Sequence, residues 1–184
     1  MSNAKPARRA RARGLFRLRP MPSRTRPMAD AVIDRIDPRE LTLVTHLYNN
    51  LFRPEHDEKW IRRRLQGRYN VLVQVARIGK DAVGFFVGYE LRPSVFFAWL
   101  CGVVPDMRRS GIASQLMQAA EDWARTEGYK TMRFECSNNI RPFLHFGIAY
   151  GYDIVGIRWD SELMANVIVF EKQLNEAGDM NDTQ

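Results

Sequence analysis

The residues best suited to chemistry lie in one run, Val103-Val104-Pro105-Asp106-Met107-Arg108-Arg109-Ser110-Gly111-Ile112-Ala113-Ser114. An apolar strand ends there in a turn rich in Arg, Ser and Gly, and the turn opens a helix. The first turn of a helix leaves backbone N–H groups unpaired at the positive end of its dipole, so it receives anions. Small residues let a phosphate approach that backbone, and Arg108 and Arg109 add positive charge. A solvated basic turn is the plainer reading, but two cations at a helix N-terminus are unfavourable unless an anion offsets them. The run lacks the Lys-Ser/Thr ending of a Walker loop, which disfavours a nucleoside triphosphate with magnesium. It also lacks the spaced glycines of the dinucleotide fingerprint. A pyrophosphate bound without metal remains.

The elements that must hold this run follow from periodicity. Ala31–Ile33 begins a short strand, and Asp37-Pro38 opens a helix whose Leu41, Val44, Leu47, Tyr48 and Leu51 fall at helical spacing. Pro54 breaks it, and a second helix near Glu55–Gln66 carries Trp60, Ile61 and Leu65. Val71–Ile78 and Ala82–Leu91 form a hairpin around Gly79-Lys80-Asp81. Val95–Val104 is apolar on both faces, with Val95, Phe97, Trp99, Cys101 and Val103 on one and Phe96, Ala98, Leu100 and Val104 on the other. Such a strand is central, with helices above and below. The helix after the turn carries Ile112, Leu116, Ala119, Ala120 and Trp123 inward and ends at Gly128, a helix-terminating glycine. Strand Thr131–Cys136, helix Ile140–Tyr150 closed by Gly151, and strands Asp153–Ile157 and Asn166–Leu174 follow. The order is β-α-α-β-β-β-α-β-α-β-β, an α/β fold with a mixed sheet.

On these residues the chain resembles the GCN5-related N-acetyltransferase (GNAT) superfamily. That family's coenzyme loop reads Arg/Gln-x-x-Gly-x-Gly/Ala, matched by Arg108-Arg109-Ser110-Gly111-Ile112-Ala113. The Val-Val-Pro ending of the preceding strand, Ser114 and Leu116 after the loop, and the element order over residues 31–174 carry the same likeness. The resemblance implies a central mixed sheet flanked by helices on both faces, and acetyl-CoA as co-substrate with no metal. It implies that backbone N–H groups of Arg109 to Ser114 cradle the pyrophosphate. It further implies that the central strand splays from Thr131–Cys136, so that Leu100, Cys101, Gly102, Val103 and Val104 pair with the pantetheine arm. Asn138 or Asn139 matches the family's second motif.

Acetyl transfer to an amine also needs a proton acceptor and donors for the thioester oxygen. The resemblance makes a carboxylate the usual base: Glu90 is the leading candidate and Glu135 the second. Each is also explained as an ion pair, with Arg92 or Arg133. His46 and His56 fall in the region that would form the acceptor wall, together with the aromatics Tyr48, Phe52, Trp60, Phe86 and Tyr89. The tyrosine that often serves as acid would stand four residues before Gly151-Tyr152, and that position is Gly147. Cys101 and Cys136 have no histidine placed to activate them and read as small hydrophobes.

Of the 28 bases, nine fall in residues 1–27, which hold no acid; beyond them 19 bases face 21 acids. The basic character therefore belongs to the tail, and bulk charge gives the body no claim on nucleic acid. With four prolines and one short apolar patch, 1–27 is expected to be disordered. It reads as a solvated extension, a stretch upstream of a start at Met21 or Met28, a transit peptide, or an arm for nucleic acid or the ribosome. No apolar stretch approaches the roughly 20 residues of a membrane span. Two cysteines in apolar runs suit a reduced, cytoplasmic protein. The expected organisation is a tail over 1–27, an N-acetyltransferase domain over 28–176 and a polar end over 177–184. The expected activity is transfer of an acetyl group to a primary amine, on a small molecule or a protein, by a monomer or homodimer. The alternatives are an acyl-CoA sensor without turnover and an acetyltransferase docked through its tail.

Overall fold

Seven strands hydrogen-bond in the order β1-β2-β3-β4-β5-β7-β6 in the computed structural model, which describes residues 28–174. Along the chain these are β1 (Val32–Arg35), α1 (Thr42–Leu51), α2 (Glu58–Leu65), β2 (Leu72–Ile78), β3 (Asp81–Arg92) and β4 (Val95–Val103). Then come α3 (Ile112–Thr126), β5 (Thr131–Ser137), α4 (Arg141–Ala149), β6 (Asp153–Asp160) and β7 (Ala165–Gln173). The order read from periodicity holds. All neighbouring strands are antiparallel except β4 and β5. The expected tails 1–27 and 177–184 lie outside the described residues.

The sheet separates two apolar layers. On one face Phe86, Phe96, Phe134 and Phe170 are buried with Leu116, Met117, Ala120 and Ala124 of α3. Phe134 and Phe170 stack at 4.7 Å. Met117 and Ala124 are fully buried there, whereas Ala119 is only partly so. On the other face Val73, Val75, Phe85, Val87 and Tyr89 meet Val44, Leu47 and Tyr48 of α1 and Ile61 and Leu65 of α2. Fully burying a side chain of this size contributes about 1.5–3 kcal/mol, so these layers set the stability of the fold.

The helix ends follow local chemistry. Asp57 caps α2 by accepting the Trp60 N–H at 2.9 Å. Asp37-Pro38, expected to open α1, instead makes a turn. The Asp37 carboxylate accepts the Arg39 N–H at 2.8 Å and also its guanidinium, and the Glu40 N–H returns to the Asp37 carbonyl. An aspartate that satisfies the backbone two residues on favours a turn over a helix, so α1 begins only at Thr42. Gly128 and Gly151 both adopt positive φ at the ends of their helices, as expected.

Glu121, fully buried on α3, joins that helix to the far part of the sheet. It accepts from Tyr152 Oη at 2.8 Å and from Lys172 Nζ of β7 at 2.8 Å. Burial and this carboxylate push the Tyr152 hydroxyl far above its ordinary range. Tyr152 is thus a structural donor.

Candidate active site at the opened junction of two strands

The parallel pairing of β4 with β5 covers only Val95–Ala98 against Thr131–Phe134. Beyond it β4 continues to Val103 on β3 alone, and β5 continues to Ser137 on β7 alone. Two central strands therefore part, and β4 has one unpaired edge. Leu100 is opposite Val87 and Ala98 opposite Gly88, which leaves Trp99 as an extra residue, a β-bulge at the point of parting. The bulge corrects the strict alternation expected for this strand. Leu100 joins Phe97 and Trp99 in the α1/α2 layer, while Cys101 and Val103 join Phe96 and Ala98 under α3.

The direction of the backbone groups follows. The Val104 N–H bonds the Val83 carbonyl at 2.9 Å, toward β3. Alternation along a strand turns Val103 and Cys101 the other way, into the gap. Arg108 Nε donates to the Val103 carbonyl at 3.1 Å, consistent with that direction. Trp99 to Gly102 are partly exposed although β4 is the middle strand.

After β4 a single 3-10 turn, Pro105–Met107, leads into the loop. Arg109 adopts φ 62° and Gly111 φ 84°, two left-handed residues that wrap the backbone around the start of α3. Ser110 is buried and its hydroxyl donates to the Met107 carbonyl. Gly111 has no side chain with which to cap the helix, so the first N–H groups of α3 receive no side-chain acceptor from it. Arg108 and Arg109 are exposed beside them. Just past β5, the Asn138 side-chain carbonyl is buried without a hydrogen-bond partner among protein atoms. Its neighbour Asn139 is exposed, its N–H turned to Ser137 Oγ.

The chain also passes this loop at its start. The Ala29 N–H bonds the Ser110 carbonyl at 3.0 Å, and Gln115 of α3 grips the same segment twice. Its Oε1 accepts the Ala31 N–H at 3.2 Å and its Nε2 donates to the Ala29 carbonyl at 2.7 Å. Met28 lies against Gly111.

On the α1/α2 face an aromatic wall borders the bulge. The His56 ring stacks on Trp60 at 3.8 Å and 6°, Tyr48 touches both, Trp60 meets Trp99 at 5.6 Å, and Trp99 meets Tyr89. Phe52 packs on Tyr48 and Phe85. Phe86, expected in this wall, is instead fully buried in the α3 layer, because its position along β3 has the other parity. Trp99 takes its place. The sequence placed Trp99 on β4 but gave no sign of the bulge that turns Leu100 to the same side.

The expected bases are not free. Glu90 is opposite Phe96, at the closed end of β4. It accepts the Tyr129 hydroxyl at 2.7 Å, and burial helps push that tyrosine up to about 12. Parity puts Glu90 on the α3 face, away from the aromatic wall. Glu135 does border the parting, one residue beyond the last pair with β4. Arg133 Nη2 at 2.9 Å and Arg158 Nη2 at 2.8 Å hold it. Burial pushes its carboxyl up, yet the hydrogen bonds from the two arginines outweigh burial and keep it below the ordinary carboxylate range. His46 is exposed and pairs with Asn50. Burial pushes the Cys101 thiol up to about 12 and the Cys136 thiol to about 11, so neither is a ready nucleophile. Tyr150 donates to the Ser114 carbonyl at 2.8 Å. At Gly147 an added Cβ would stand 2.7 Å from Phe134 Cζ and 3.0 Å from Phe170 Cε1, so no tyrosine fits. Among the described residues no group of His, Cys, Asp and Glu is arranged to hold a metal.

A sheet parted at its one parallel junction, above a helix headed by an uncapped glycine loop, is the architecture of an acyl-coenzyme A acyltransferase. Residues 39–147 match the acetyltransferase (GNAT) family, and the chain belongs to that family. Its general reaction is acetyl-CoA-dependent N-acetylation. No curated protein matches the chain in sequence. Among solved structures, the ribosomal-protein-S18-alanine N-acetyltransferase of Escherichia coli is 15% identical with a TM-score of 0.69, covering 84% of this chain and 100% of its own. The IAA acetyltransferase of Bacillus cereus is 21% identical with a TM-score of 0.67, covering 78% and 99%. A GNAT family acetyltransferase from Elizabethkingia anophelis with acetyl-CoA bound is 16% identical with a TM-score of 0.63, covering 78% and 97%. At these identities the likeness is one of fold.

Proposed function

We propose that this protein transfers the acetyl group of acetyl-CoA to an amine by direct attack of the neutral nitrogen on the thioester carbonyl. The observation that carries this is the unpaired edge of β4 running straight into the uncapped start of α3. The edge from Leu100 to Val104 would pair with the amides of the pantetheine arm, and the N–H groups of Arg109, Ser110, Gly111, Ile112, Ala113 and Ser114 would receive the pyrophosphate. The orphaned Asn138 carbonyl suits a pantetheine N–H, since a buried acceptor without a partner costs about 1–3 kcal/mol until one arrives. Asn139, exposed beside it, is available to the adenosine end.

The wall of Tyr48, Phe52, His56, Trp60, Tyr89 and Trp99 supports an acceptor with an apolar or aromatic body. Its amine must lose a proton. With Glu135 held by arginines and Glu90 on the other face, we assign the proton to His56 or to water ordered beside it. His56→Gln should then lower kcat by at least about tenfold with little change in KM. An unchanged kcat would leave water alone as the base. Gly147 favours one other reading, an acyl-CoA-binding protein without turnover, because the family's usual acid has no room there.

The test is thermal stability of the full chain with acetyl-CoA, followed by thiol release with a panel of amines. Ligand at about 100 times its dissociation constant should add about 2.7 kcal/mol, a shift of several degrees. Gly111→Glu should abolish that shift. A shift without thiol release on any amine would favour the silent binder, and no shift at all would overturn the coenzyme reading.

A further inference from the structure

We propose, resting on the acetyl-transfer reading above, that Arg64 and Arg68 select the acceptor: an amine joined through an apolar or aromatic body to a carboxylate at its far end, which the two guanidiniums hold. In that reading the pantetheine arm follows β4 from Val104 back to Leu100. The thioester then comes to lie beside Trp99, the bulged residue where β4 parts from β5. Two rings adjoin Trp99 on the α1/α2 face, Trp60 at 5.6 Å and Tyr89 at 6.3 Å. Each carries one arginine. The guanidinium carbon of Arg64 lies 5.6 Å from the Trp60 ring centre, and that of Arg68 lies 4.6 Å from the Tyr89 ring centre. Local structure puts them there. Arg64 follows Trp60 by four residues on α2, so the two share one face of the helix. Gly67, at φ 74°, then turns the chain. The Arg68 N–H bonds the Leu65 carbonyl at 3.0 Å, and the Glu90 N–H of β3 bonds the Tyr69 carbonyl at 3.0 Å, which fastens Arg68 beside that strand.

These two cations are unspent. Arg62 on the same helix is taken by Glu58 and by the Arg39 carbonyl, whereas the side chains of Arg64 and Arg68 form no ion pair or hydrogen bond among the described residues. Glu135, Glu171 and Asp160, of β5, β7 and β6, are already paired with Arg133 and Arg158. Burial pushes the Tyr89 hydroxyl up, Arg68 and Arg64 pull it back and Glu135 adds to the rise, so both positive charges are felt on the wall itself. A ring attracts a guanidinium without consuming its N–H donors, and a carboxylate accepts those donors in pairs. Each guanidinium stands one ring beyond Trp99, so the anion belongs at the far end of the acceptor and not next to its amine. The same charges disfavour a second cation on the acceptor and favour the neutral form of the attacking amine.

The experiment is steady-state thiol release by the full chain and its Arg64→Gln/Arg68→Gln variant, with acetyl-CoA and phenethylamines carrying a para carboxylate, carboxamide or aminomethyl group. Wild type should prefer the carboxylate to the carboxamide about five- to tenfold in kcat/KM, with the aminomethyl compound poorest. The variant should lose that preference through KM, with kcat little changed. Arg64→Lys/Arg68→Lys should keep part of it, and acetyl-CoA affinity should be the same in all three proteins. Equal kcat/KM of wild type for carboxylate and carboxamide overturns the inference and leaves acetyl transfer standing. A carboxylate preference that survives in the glutamine variant does the same. Transfer to a lysine of an acidic peptide, with none of the small amines used, overturns it in favour of a protein acceptor. A chain that binds acetyl-CoA yet releases no thiol with these amines or any other overturns both readings.

Discussion

The side chains that decide this site are those whose partners are already fixed. Glu135 is available in sequence and engaged in structure, and its engagement has a pH signature. Its folded carboxyl lies below its ordinary value despite burial, so the stability it contributes is present above about pH 4.3, the unfolded value, and is lost as pH falls through the lower folded value. Arg158→Ala should raise the Glu135 titration toward the ordinary range and move acid unfolding to higher pH, as followed by carboxyl NMR and urea melts. At neutral pH the loss should stay under about 1 kcal/mol, because Arg158 is half exposed. Gly147 gives a sharper outcome. Gly147→Tyr, which would restore the family's usual acid, should lower Tm markedly and raise no activity, since Phe134 and Phe170 occupy the space; overpacking of this kind costs about 1–3 kcal/mol or more. Sequence spacing showed that the tyrosine was missing. Only the packing of two phenylalanines shows why it cannot be there.

Among elements, β4 governs the site. Its apolar residues marked it as a central strand, and the Arg-Arg-Ser-Gly turn after it marked the candidate loop at the start of α3, because both are local patterns. The bulge at Trp99 was not legible, since it is a mismatch of register with β3 and leaves no trace in composition. Phe86 was separable from Tyr89 by parity along β3, but which face each parity takes is decided by packing against α3 or α1 and α2, which the strand's own residues do not record. Gly88, opposite Ala98 at the bulge, tests this account. An added Cβ there would lie 2.6 Å from Phe96 Cε1 and 2.8 Å from the Phe97 carbonyl oxygen. Gly88→Ala should therefore cost about 1–3 kcal/mol in urea melts and loosen β4 to amide exchange. It should also weaken acetyl-CoA binding, because the parting of β4 from β5 starts at that point.

At the scale of the molecule, two antiparallel ribbons, β1 to β4 and β5-β7-β6, meet along a seam of four residue pairs. The buried Glu121 fastens the seam from behind, tying α3 to Lys172 of β7. Lys172→Met should cost about 3 kcal/mol by leaving that carboxylate under-compensated, measured as a fall in Tm that acetyl-CoA only partly restores. The seam has a mechanical consequence. A load pulling the ribbons apart is borne by a short zip already open at one end, while every other junction of the sheet except the edge pairing of β1 with β2 is longer. Stretched from points on opposite ribbons, the protein should yield first at this seam, at low force. A coenzyme lodged in the opening would act as a rung across the tear and raise that force, so the molecule's weakest line is the one its ligand stiffens.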